Sequence, residues 1–273
     1  KIIKYYIDGN QEDDSVEAQF SELLTQFRKE LEDGKFPRAI PLCDTSGSMC
    51  CNDKKPITVS IGLGILLSLL LPEPWNRRVL TFSSQPQFHK IEGSTLYDMF
   101  KNLSGAHWEM NTNFGKALNM ILDTLIDYEK ANDGKKFPEE LLPEMLIVFS
   151  DMQFDTAAGN GSTNLDIITK KFTDRGLTIP KLIFWNVHSH LDFPATEQDQ
   201  NTCLIGGFSP SIMKSLTTTG TFTPMTILRE TIDDSRYDPI RENLNKKLSK
   251  TSSKTGKNKR MIDEDYFVVG NKK

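Results

Sequence analysis

Ala39-Ile40-Pro41-Leu42-Cys43-Asp44-Thr45-Ser46-Gly47-Ser48 is the stretch that decides how the rest of the chain is read. Five uncharged, mostly apolar residues run straight into an aspartate, followed by hydroxyls at alternate positions. A short apolar run bounded by polar residues is the pattern of a strand buried on both faces. A longer apolar stretch, about Ile57 to Leu71, follows the polar loop and has the length of a buried helix. Strand, loop and helix in that order open an α/β unit.

The same alternation continues in both directions. Upstream, Val16, Phe20, Leu23, Leu24, Phe27 and Leu31 fall at helical spacing, with Asp13 and Asp14 at the start and Gly34 as a stop. Downstream, strands are predicted at Arg78 to Phe82, Gln87 to Ile91, Met145 to Ser150, Lys181 to Val187 and Thr202 to Ile205. Helices are predicted at Leu96 to Leu103, Phe114 to Tyr128, Leu165 to Phe172 and Ser211 to Leu216. This predicts a Rossmann-like, doubly wound α/β domain over residues 36–228, with a mainly parallel sheet and helices on both faces. A helical extension (1–35) precedes it. A helical segment and a basic tail (229–273) follow, and residues 249–259, lacking large apolar side chains, read as a disordered linker.

The 273 residues suffice for one sizeable core. Hydrophobic residues at 37% and charged residues at 26% are ordinary for a globular chain, and a net charge of -4 supplies no global attraction to nucleic acid or an anionic membrane. The longest apolar run, Ile61 to Leu71, is far short of the ~20 residues a bilayer span needs. The chain begins on Lys1, as a fragment or a processed form would, and no secretory pattern opens it. Cys43, Cys50, Cys51 and Cys203 lack a CxxC spacing and are too few for a disulfide scaffold. The expectation is an intracellular, cytoplasmic protein that is neither secreted nor membrane-bound. One local exception to the charge balance is residues 241–260, where eight Lys/Arg face the single acid Glu242. Nucleic acid could contact the chain there.

In an open α/β sheet the functional site lies beyond the carboxyl ends of the strands. Two strands here end directly in an acid, Asp44 after Cys43 and Asp151 after Ser150. Residues two apart in a tight loop can point the same way, so Asp44, Ser46 and Ser48 can converge, with Gly47 expected to ease the turn. One carboxylate with two hydroxyls, and no thiol or imidazole among them, suits a hard cation such as Mg²⁺ rather than Zn²⁺.

Asp44-Thr45-Ser46-Gly47-Ser48 resembles the DxSxS sequence of the metal-ion-dependent adhesion site (MIDAS) in von Willebrand factor A (vWA) domains. Those domains add a Thr from a loop before a later helix and an Asp after the fourth strand. Thr112, 68 residues beyond Asp44, and Asp151, another 39 on, stand in that order. The run Asn111-Thr112-Asn113-Phe114-Gly115-Lys116-Ala117-Leu118 is similar to the family's G-T-N-T-G-K-A-L. The resemblance implies Asp44, Ser46, Ser48, Thr112 and Asp151 as metal ligands. It implies Mg²⁺, with Mn²⁺ or Ca²⁺ as alternatives, and a coordination position open to a carboxylate from a partner. Met110-Asn111 in place of a Gly pair and Met152 in place of a Gly depart from the pattern and bear on the shape offered to that partner. A wider resemblance, from Phe36 onward, is to a family of largely uncharacterised proteins of plants, fungi and large DNA viruses that end in an A-like domain. It is carried by Val148-Phe149-Ser150-Asp151-Met152-Gln153-Phe154-Asp155, Ile183-Phe184-Trp185-Asn186-Val187 and Gly206-Gly207-Phe208-Ser209.

The expected function is therefore metal-dependent binding of a protein that bears an acidic side chain, not catalysis. Two alternatives stay open. Ro-type RNA-binding proteins also contain an A-like domain, and the basic tail gives RNA an electrostatic handle. A Mg²⁺-dependent phosphatase would want a second Asp two residues after the first, where Ser46 stands. Elbow, dinucleotide and Walker glycine patterns are absent. His188 and His190 follow a buried strand and read as a polar loop, Trp75 and Trp185 as core or boundary residues, and His107 with Trp108 as a candidate binding rim.

Overall fold

The computed structural model describes residues 2–31, 38–81, 83, 85–106, 114–151, 161–187, 202–206 and 237–244. The chain divides into two compact units, Lys1–Thr223 and Pro224–Lys273. In the second, the described residues form one helical stretch, 237–244, on which Ile240 and Leu244 are exposed. The helix predicted at Ser211 to Leu216 and the basic tail beyond residue 244 lie outside the described residues.

The first unit is built on a six-stranded sheet of β1 (Ala39–Cys43), β2 (Arg78–Thr81), β3 (Phe88–Lys90), β4 (Met145–Ser150), β5 (Lys181–Asn186) and β6 (Thr202–Gly206). Their order across the sheet is β3-β2-β1-β4-β5-β6. All pairings are parallel except β2 with β3, whose connection is too short for a crossover and turns back as a hairpin. Every residue of β1 and β4 is buried, in keeping with sequences that are apolar but for Ser150 at the end of β4. This is a Rossmann-like α/β fold, with an antiparallel strand at one edge.

Helices α3 (Cys51–Leu70) and α4 (Leu96–Ser104) pack on each other, and α5 (Phe114–Ala131) packs on α6 (Gly161–Thr173). The strands alternate between two cores. Ile40, Leu42, Leu80, Leu146 and Val148 join Leu118, Ile121, Ile168 and Phe172 of α5 and α6, whereas Cys43 and Val79 face α3 at Gly64. A Cβ on Gly64 would lie 2.2 Å from the Cys43 sulfur, so glycine is what lets α3 lie this close to β1. Trp75 and Trp185 are core residues, 2% and 0% exposed. No helix among the described residues is long and apolar enough to cross a membrane.

Three elements differ from expectation. Within the helical extension expected over 1–35, Ile2–Ile7 form a separate helix, α1, ahead of the periodic segment, and it packs on α3 and α4 beside α2 (Asp14–Glu30). The helix expected to begin near Ile57 begins at Cys51, with Pro56 inside it. The entry is irregular, with Asp53 and Lys54 at φ 58° and 57°. Helix α6 begins at Gly161 rather than Leu165.

Candidate metal centre

Neighbouring β1 and β4 mark where the strand order turns. From β1 the chain works outward through β2 to β3, and from β4 outward through β5 to β6. At such a switch point the connections leave in opposite directions and open a crevice beyond the carboxyl ends of the two strands. Asp44 and Asp151 stand there, each the first residue after its strand. The pairing of Cys43 with Phe149 brings Asp44 level with Ser150, and Asp151 follows one step beyond. The Asp44 backbone N–H extends the ladder by donating to the Phe149 carbonyl at 3.0 Å. Both acids are buried, 2% and 7% exposed.

Two bonds orient the Asp44 carboxylate. The backbone N–H of Ser46 donates to Oδ1 at 2.8 Å, and the Ser150 hydroxyl donates to Oδ2 at 2.6 Å. Burial pushes the Asp44 carboxyl above its usual range; the bonds from Ser150 and Ser46 oppose that, and the charge of Asp151 adds to it. A cation between the two strand ends would relieve the cost.

The loop after Asp44 closes as a 3-10 turn, Gly47–Cys50, tied by Met49 N–H donating to the Ser46 carbonyl at 3.1 Å. Met49 is fully buried and anchors the turn. The Ser46 and Ser48 hydroxyls lie 3.0 Å apart, on the same side as their alternate spacing suggests. The role expected of Gly47 is not borne out. It lacks a positive φ, and a Cβ there would meet nothing within 4 Å.

Among the predicted residues, Asp44, Ser46 and Ser48 form one bonded cluster, and Asp151 is beside it on the neighbouring strand. Thr112, His107, Trp108, His188 and His190 lie outside the described residues. The donors assembled here are hard oxygens, two carboxylates and two hydroxyls, which is the chemistry Mg²⁺ accepts. The thiol of Cys43, the residue before Asp44, donates to the Ser60 carbonyl on α3, and burial pushes it up to about 12. Among the described residues no three His, Cys, Asp or Glu side chains group as metal ligands.

Two residues of the site were not read from sequence. Ser150 ends an otherwise apolar strand, and only its polarity there could have drawn notice. Asn186 ends β5 level with Ser150, 1% exposed at the same sheet edge.

Comparison with known proteins agrees with this architecture. The structure is similar to the crystal structure of the RO (RSR) protein of Deinococcus radiodurans, with a TM-score of 0.50 and 16% identity over 75% of this chain. That likeness is one of fold. In sequence the chain is 28% identical over 244 residues to a protein of Acanthamoeba polyphaga mimivirus named "Uncharacterized protein L728", covering 88% of this chain. The chain spans 40% of the length of that viral protein and 37% of the solved one. With residues 38–260 matched, the chain belongs to the family described as Domain of unknown function (DUF7788).

Proposed function

We propose that this is a vWA-like module that binds a protein partner through a divalent cation, Mg²⁺ first, held by Asp44, Ser46, Ser48, Thr112 and Asp151. The observation that carries the proposal is the pair of buried acids at the ends of adjacent strands, with the paired Ser46 and Ser48 hydroxyls next to one of them. When bound, the cation supplies an electrophilic position for an acidic side chain of the partner. The chain's own part is orientation. Ser150 and the Ser46 N–H fix the Asp44 carboxylate, and the turn anchored by Met49 keeps both hydroxyls on one side.

The test is Asp44→Ala beside the unaltered chain. Mg²⁺ should raise the melting temperature of the unaltered chain and support partner capture that a chelator abolishes, and Asp44→Ala should lose both. Retention of both by the variant ends the proposal. A second reading, an RNA-associated protein, is favoured by the eight Lys/Arg against one acid over residues 241–260. Filter binding at rising salt separates the two, because contact through phosphates weakens steeply with salt. No salt-dependent RNA retention removes that reading.

A further inference from the structure

The family match begins at residue 38, yet α1 and α2 precede it and are fastened to α3 and α4, the first of which follows directly on the Asp44–Ser48 loop. The first segment is the irregular entry to α3, directly after the Ser46–Ser48 turn. Asp53 and Lys54 there occupy the left-handed region, which non-glycine residues adopt infrequently and a lysine less readily than an aspartate. Both residues are held from α1. Lys4 Nζ donates to Asp53 Oδ1 at 3.2 Å, and Lys54 Nζ donates to the Ile7 carbonyl at 3.2 Å. Below them α1 sits hard against α3, with Ile3 Cγ1 only 3.1 Å from where a Cβ on Gly62 would be. The second segment is α4. Glu17 of α2 caps its N-terminus, accepting from the Leu96 N–H at 2.6 Å and the Tyr97 N–H at 3.0 Å, and also takes the Tyr6 hydroxyl of α1 at 2.6 Å.

From this juxtaposition we infer that α1 is a brace for the Asp44–Ser48 loop, with Lys4 and Lys54 as positioning residues that hold the strained turn behind it and so set the affinity of the loop for Mg²⁺. The link to Mg²⁺ rests on the function proposed above; the brace does not. Any partner or cleavage that lifted α1 would slacken the loop without touching a metal ligand.

The experiment compares the unaltered chain with Lys4→Met/Lys54→Met, which cuts both polar tethers and leaves Ile3 and Tyr6 packed. Lys55→Met, one residue along, serves as the control for charge. Hydrogen exchange of the amides of residues 44–55, measured without metal, should quicken about fivefold in the double variant, since exposed tethers of this type are individually weak. Exchange in β4 should not move, and the control should match the unaltered chain. The Mg²⁺ midpoint, read by thermal shift with MgCl₂ alone, should rise several-fold in the double variant. Unchanged exchange over 44–55 overturns the brace. Faster exchange with an unmoved Mg²⁺ midpoint overturns its link to the metal. Absence of any Mg²⁺ shift in the unaltered chain sinks the proposed function and that link together, and the exchange data still decide the brace.

Discussion

Replacing Asp44 by asparagine should change the sign of its effect on stability when Mg²⁺ is added. Without a cation, Asp44 and Asp151 stand as two buried like charges at adjacent strand ends. Strand spacing separates them by roughly 5–7 Å, which at an effective dielectric constant of about 20 corresponds to about 2–3 kcal/mol of repulsion. Asparagine has nearly the same shape. Its carbonyl can still accept from the Ser46 N–H, and its amide can turn to the Ser150 hydroxyl. Weaker hydrogen bonds to a neutral group return about 1 kcal/mol of that gain. The metal-free variant should therefore be more stable by about 1–2 kcal/mol, or about 3–6 °C in melting temperature for a unit of this size. At Mg²⁺ one hundred times above its dissociation constant the unaltered chain gains about 2.7 kcal/mol, while a variant lacking the charged ligand gains little. The order should then invert, leaving the unaltered chain about 1 kcal/mol ahead. Calorimetry in EDTA and across a MgCl₂ series reads both halves. A variant less stable than the unaltered chain in EDTA refutes the carboxylate argument, and an order that never inverts refutes the metal.

Other consequences concern the frame around the site. Gly64→Ala should destabilise by about 1–2 kcal/mol although alanine is the better helix former by about 1 kcal/mol, because its Cβ would collide with the Cys43 sulfur. Cys43→Ala should rescue it in a double-mutant cycle read by urea unfolding, the next atoms being 3.8 Å and 3.9 Å away; simple stabilisation by Gly64→Ala would contradict the packing. In native thiol labelling near pH 8, exposed Cys50 and Cys51 should react first and half-buried Cys203 slowly. Cys43, buried and with its thiol pushed up to about 12, should wait for unfolding, and early alkylation of Cys43 would count against its placement. Glu17→Ala should cost about 2 kcal/mol by removing the α4 cap and the Tyr6 acceptor together, with Glu17→Gln costing less. Equal urea midpoints for all three chains would mean that the cap contributes nothing.

The legible parts of the fold are those where burial dictates composition. Met145 to Ser150 and Lys181 to Asn186 read as strands because their short apolar runs, Met145 to Phe149 and Leu182 to Trp185, bounded by polar residues fit a doubly covered sheet. The strand order was not legible, since no residue in β1 specifies which neighbour it takes. As a separate helix, α1 was hidden for a different reason. Ile2-Ile3-Lys4-Tyr5-Tyr6-Ile7 is β-branched and aromatic, a composition that suits a strand, and tertiary contact overrides it: Ile3 seats over Gly62, and Tyr6 packs on Tyr97 and bonds Glu17. At the site the two acids were legible because a charged residue ending a buried strand is conspicuous. The service of Ser150 to Asp44 was not, because it joins residues 106 apart and exists only once β1 and β4 are paired.

That pairing explains why the candidate site sits where it does. A parallel sheet leaves its strand ends unbonded along one rim, and at most positions the next helix turns back over them. Between β1 and β4 the departing chains diverge, so the backbone groups and side chains of both ends face a shared gap. An acid at either end alone could turn toward water. Here Asp44 is held by a hydroxyl from the neighbouring strand end and a backbone N–H from its own loop, and the buried Met49 keeps that loop from swinging out. Such fixation stabilises the buried carboxylate against the cost of its burial and, under the function proposed above, lowers the reorganisation needed to bind a cation.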